Sequence, residues 1–273
     1  MTRLLLSAFL LLFVAVVGWA AIPEARLRAI SATARTNAAA GVVLCDRLVV
    51  DYPTNAQPLT IRARLLDSVR RYDDAARDLS LALKLEPESA GLWQGRGEMY
   101  FKAGRFKESV ADFDRVLSLA PSQTPHHWQR GISLYYAGRF GDGRRQFESH
   151  RTVNPNDVEN ATWHFLCVVR ESGVTNARAA MLPVGPDARV PMKQIDALYR
   201  GRGSVEEVMA AAKQVPNRDA LFYAHLYLGL YFDALGDPAK ARDYIKLAAE
   251  DPTSAHYMGD VARVHWRVLQ AAP

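Results

Sequence analysis

Four prolines, Pro53, Pro87, Pro121 and Pro155, stand 34 residues apart, three intervals in succession. A fixed period of this length constrains the fold more than any local propensity. It implies one supersecondary unit copied in tandem, each copy too small to bury its apolar face without a neighbour. Aligned on the prolines, residues 90–121 supply Trp93, Gly97, Tyr100, Gly104, Phe106, Phe113, Leu117 and Leu119. Residues 124–155 repeat the pattern with Trp128, Gly131, Leu134, Gly138, Phe140, Phe147 and Val153. Residues 56–87 keep its second half, from Tyr72 through Ala75, Leu79, Ala82 and Leu83 to Leu85. A separate copy at 222–252 carries Leu228, Gly229, Phe232, Gly236, Ile245 and Pro252. Residues 22–55 have Pro53 behind Val42, Cys45, Leu48 and Val49 but lack the glycines, and read as a degenerate first unit.

Within each window apolar residues recur at three- and four-residue spacings, the signature of amphipathic helices. The glycine at the eighth position removes a side chain where two helices meet. The one seven residues later permits the turn between them. Proline closes the second helix, because its ring cannot continue one. No segment alternates as a strand does, so the fold class is all-α, a solenoid of helical hairpins. Between 156 and 217 the proline and glycine markers stop and a divergent helical segment is expected. It has helices at 158–171, 192–199 and 205–213, the last capped by Ser204, and a loop at Gly185, Pro186 and Pro191. Residues 254–269 read as a terminal helix covering the last repeat, since solenoid ends require a cap.

This 34-residue pattern resembles the tetratricopeptide repeat. The "RGISLYYAGRF" run at 130–140, the late repeat at 227–250 and the His256-Tyr257 pair in the terminal helix further resemble the bacterial NlpI-like lipoprotein family. That resemblance implies a non-enzymatic envelope adaptor, often dimeric, bringing together periplasmic proteases and peptidoglycan hydrolases. The lipid-attachment cysteine of such lipoproteins is missing here.

The chain opens with Arg3 and then an apolar run from Leu4 to Val17 interrupted only by Ser7, followed by Gly18-Trp19-Ala20. This is a secretory signal pattern with cleavage expected after Ala20. Extended to Ile22, the run is also long enough for an uncleaved membrane anchor. In either form the body is exported, to the periplasm or cell envelope. A net charge of +5 dispersed over 273 residues gives no basis for nucleic-acid binding. Cys45 and Cys167 form no paired motif and are expected to be free, buried thiols.

Solenoids of this kind present the inner faces of their first helices as a groove for a peptide or helix. The corresponding positions are Gln57, Thr60, Arg64 and Asp67, then Gln94, Glu98, Phe101 and Lys102, then Trp128, Ile132, Tyr135 and Tyr136. The aromatic residues of the third set either anchor a ligand or pack against the divergent helices, since large rings serve both purposes. His126, His127 and His150 have no metal-ligand spacing. His164 and Cys167 share a helix face as a base and thiol could, against a plain reading of "WHFLCVV" as a buried helix. No phosphate loop, nucleophile elbow or zinc motif is present, and no cofactor or metal is expected. The sequence therefore points to an exported, non-catalytic interaction scaffold. A membrane-anchored assembly factor and an enzyme built on His164 and Cys167 are the alternatives.

Overall fold

The computed structural model describes residues 21–216, 218–252 and 254–271, so the expected signal segment at 1–20 lies outside the described residues. Fifteen α-helices and one 3₁₀ turn are found among them, and no strand. Four antiparallel pairs come first: α1 (Glu24–Thr36) with α2 (Ala38–Asp51), α3 (Ala56–Ser68) with α4 (Tyr72–Leu85), α5 (Ala90–Lys102) with α6 (Phe106–Leu119), and α7 (Trp128–Tyr136) with α8 (Phe140–Arg151). A 3₁₀ turn, Pro121–His126, precedes α7. His126 thus lies in that turn and His127 caps α7 from outside, accepting from the Arg130 amide at 3.3 Å. Then come α9 (Val158–Ser172), α10 (Val174–Ala180), α11 (Met192–Tyr199), α12 (Val205–Gln214), the pair α13 (Arg218–Ala234) and α14 (Pro238–Ala249), and α15 (Tyr257–Ala271).

The second helices of the pairs begin at residues 38, 72, 106 and 140, and α10 begins at 174, still 34 residues on. The period therefore runs one helix pair beyond the last proline marker, into the segment where the sequence suggests its failure. The marker vanished because the eighth position, glycine in two preceding pairs, is Phe165. Its fully buried ring lies 5.1 Å from Tyr199 of α11. With α10 only seven residues long, the pair ends early and α11 and α12 follow. At α12 the expected Ser204 cap is present as a capping box with Glu207.

Why these residues need these positions is visible at the glycines. A Cβ on Gly97 would stand 2.6 Å from the Phe113 ring, and one on Gly131 2.6 Å from the Phe147 ring. Side chains there cannot coexist with the packed aromatic of the partner helix. Gly104 and Gly138 take φ of 80° and 75° in the turns between helices. The matching residue of the preceding pair, 34 earlier, is Arg70 at φ 59°, the one positive-φ residue other than glycine among those described.

A second repeated device joins the pairs. Arg62, Arg96 and Arg130, again 34 apart, each reach sixteen residues in both directions. Arg62 forms a fork on Asp78 of α4 (2.7 and 2.6 Å) and reaches Asp46 of α2 at 2.8 Å. Arg96 forks onto Asp112 of α6 (2.8 Å twice) and meets Ser80 of α4 at 3.0 Å. Arg130 bonds Asp114 of α6 at 2.6 Å and Gln146 of α8 at 3.0 Å. Asp78 and Asp112 are buried, and such bidentate pairing satisfies a buried carboxylate.

Two stability outcomes follow. Gly131→Leu forces a side chain into Phe147 and is expected to cost about 1 to 3 kcal/mol, read as a fall in melting temperature. An unchanged melt would contradict the contact. Arg70→Gly relieves a left-handed side-chain-bearing residue and is expected to stabilise by about 1 kcal/mol; a lower denaturation midpoint would show that the Arg70 side chain is needed.

Candidate peptide-binding groove

The first helices α3, α5 and α7 supply the inner face, and the structure divides the expected groove in two. Over α3 and α5 it is open: a cavity of about 630 Å³ is lined by Gln57, Thr60, Arg64, Asp67, Gln94 and Glu98, with Ala63 and Met99 among its apolar wall. Gln57 and Arg64 are exposed. Across to α7, Gln94 and Gln129 form a polar cluster with Glu98. The Gln94 amide donates to Gln129 at 2.7 Å and to Glu98 at 2.9 Å, and Gln129 donates to Glu98 at 3.0 Å. These backbone-like donors and acceptors on a half-buried floor suit the polar main chain of an extended segment.

Over α7 the groove is filled by the chain's own last helix. Tyr257 of α15 stacks on Phe101 at 5.4 Å and meets Trp128 edge-on at 5.1 Å. Lys102 is held between Asp67 at 2.8 Å and Asp260 of α15 at 3.2 Å, while Arg267 donates to the Lys102 carbonyl. The Tyr136 hydroxyl lies 3.0 Å from His265 Nδ1, and its ring sits among Phe101, Phe106 and Trp163. Tyr135 packs on Trp163 and accepts from Arg170 at 3.1 Å.

As accessible anchors, Phe101, Lys102, Ile132, Tyr135 and Tyr136 are therefore corrected. Phe101 is 0 %, Ile132 1 % and Tyr135 5 % exposed, and Lys102 and Tyr136 are engaged by α15. Core packing, the other option the sequence left open, accounts for the third set. Arg64, Gln94 and Glu98 remain on the open face, and Trp128 lines a second cavity. The role of α15 was missed because its contacts span up to 165 residues of sequence, which no local pattern registers. It packs on α14 as a cap does and also closes the groove.

The alternative pair fares as a buried helix would. His164 falls 34 residues after Arg130 and occupies the next rung of the arginine series, its Nε2 3.4 Å from Glu148. Cys167 is fully buried, and burial drives its thiol far above the ordinary range, the opposite of an activated thiolate. Cys45 is also buried and free, its thiol pushed up to about 11. Among the described residues no three His, Cys, Asp or Glu side chains are grouped to hold a metal ion.

Comparison with known proteins agrees with this geometry. Residues 62–124 match the tetratricopeptide repeat family model. Similar solved structures include a tetratricopeptide repeat protein from Parabacteroides merdae, 13 % identical, covering 90 % of this chain and 98 % of that one with a TM-score of 0.57. The C-terminal part of a TPR repeat-containing protein from Cytophaga hutchinsonii is 16 % identical over 86 % of this chain and 98 % of its own, with a TM-score of 0.52. PilW, a type IV pilus biogenesis factor, is 18 % identical over 87 % and 97 %, with a TM-score of 0.50. No curated protein matches the sequence. The fold is thus a tetratricopeptide-repeat solenoid.

The seam under α15 makes a pH prediction. Burial depresses His265 from 6.5 to about 4. The unfolded chain takes up this proton on acidification and the folded one does not, so stability falls as pH drops from about 6.5 towards 4. Thermal melts across that window are expected to show the loss. His265→Gln should flatten the slope, and an unchanged slope would place the acid sensitivity elsewhere.

Proposed function

We propose that this chain is an exported, non-catalytic adaptor that holds a segment of a protein partner in the open half of its groove, over α3 and α5. The observation that carries this reading is the accessible cavity of about 630 Å³, polar side chains beside an apolar wall, on repeat positions that face inward, left free while the remainder of the inner face is filled by α15. Export rests on the apolar run from Leu4 to Val17 and the small residues after it. The envelope setting, partners such as proteases or cell-wall hydrolases, and pairing of two copies rest on the NlpI-like layout of repeats, middle segment and terminal helix. No described helix is long and apolar enough to cross a membrane. Ile22, the last residue of the extended apolar run, is buried with Ile30, Cys45 and Leu48 in the first hairpin, which favours a leader ending before it over an anchor that includes it.

The test is affinity capture from envelope extract on the mature chain and on an Arg64→Glu, Gln57→Glu double variant. Both side chains are exposed, so the fold is expected to be undisturbed. A partner bound by the parent and weakened about tenfold or more by the variant, at equal melting temperature, supports the groove. A partner held equally by both, or none recovered by the parent, would sink the proposal.

A further inference from the structure

A second cavity, of about 360 Å³, lies where α7, α8, α9, the 181–191 loop, α13 and the start of α15 converge. Its lining comes from distant parts of the sequence, and it is separate from the groove over α3 and α5. Its walls are largely aromatic, with Trp128, Trp163, Tyr223 and Tyr257 among the lining residues and His256 stacked 5.8 Å from Tyr223. Its polar edge is acidic. Asp157 and Glu159 line it, together with Arg189, whose N–H groups are committed to carboxylates. Arg189 donates to Asp157 at 2.8 Å, to Asp187 at 2.6 and 3.0 Å, and to Glu159. Three carboxylates thus share one guanidinium. His150, 3.8 Å from Asp157, adds one further positive charge when protonated, Tyr227 donates to the second Glu159 oxygen at 2.6 Å and Asn154 to Asp157 at 3.2 Å. Two buried polar atoms of lining residues have no partner: Oδ1 of Asn160, 4 % exposed, an acceptor, and Nε1 of Trp163, 2 % exposed, a donor.

Aromatic faces attract cations through their ring quadrupole, and carboxylates reinforce that choice where water is excluded. We infer that this cavity binds an aliphatic chain ending in a positively charged nitrogen group, the chemistry that a lysine side chain or a free alkyl amine presents. The stem lies against the rings and the cationic head faces Asp157 and Glu159. This inference needs no protein partner and stands apart from the open groove.

The test is calorimetric titration of the full-length chain with Nα-acetyl-lysinamide, with cadaverine, and with the uncharged isostere Nα-acetyl-norleucinamide. Binding of at least one cation with a Kd below about 10 mM, and at least about tenfold tighter than the norleucine compound, is expected. The tighter of the two cations identifies the source as a peptide side chain or a free amine. Absence of cation binding, or equal binding of the uncharged isostere, would overturn the assignment. Trp128→Leu keeps apolar bulk but removes a ring face. It is expected to weaken the cation about tenfold, and an unchanged cation affinity in a variant that melts like the parent would also overturn it. If that variant does not fold, the comparison of charged and uncharged probes on the parent chain decides alone.

Discussion

One contact made repeatedly joins the first four helix pairs, a guanidinium on each of the first helices α3, α5 and α7 bonding the second helices on both sides. Arg62, Arg96 and Arg130 each bridge to their own pair and to the pair before it. Apolar packing alone would let adjacent pairs slide, because helix faces of similar side chains interdigitate in several registers. The planar forks on buried Asp78 and Asp112 lock each second helix to its own first helix, and the single bonds to Asp46, Ser80 and Asp114 tie that first helix to the pair before it. The glycine contacts at 97 and 131 perform the matching task within a pair, setting how closely the two helices approach.

This explains what could be read from the residues and what could not. Proline and glycine are legible because each has a backbone property no other residue shares, so the pairs, their turns and the all-helical class followed from Pro53, Pro87, Gly104 and Gly138. The arginine series was equally periodic in the sequence but carries no local backbone signal; its meaning appears only when residues sixteen apart are seen to touch. Replacement of glycine by Phe165 hid the continuation into α9 and α10. For the candidate groove, Arg64, Gln94 and Glu98 line the open cavity over α3 and α5, whereas Phe101, Tyr135 and Tyr136 are covered by segments too distant for any spacing argument to reach.

The inner face is consequently two surfaces of different chemistry. Over α3 and α5 it is open, with polar side chains able to bond a main chain beside an apolar wall. Over α7 it is an aromatic cluster shared with α9 and α15, and the cavity at its edge is lined by rings and carboxylates. A single extended ligand cannot run the full length of the groove while α15 lies there, so partner length on this scaffold is limited by the protein itself.

Closure by α15 also changes how the chain must acquire its structure. An open solenoid can grow from one end, each pair stabilised by the last, because its contacts are between neighbours. Here Lys102 of α5 is finished only when Asp260 and Arg267 arrive, more than 150 residues later. Such non-local closure slows folding relative to local helix pairing. During synthesis the faces of Phe101, Trp128 and Tyr136 that meet α15 stay uncovered until residues 257–271 have been made. They form an apolar patch that belongs to the growing chain alone, and the folded protein conceals it beneath α15.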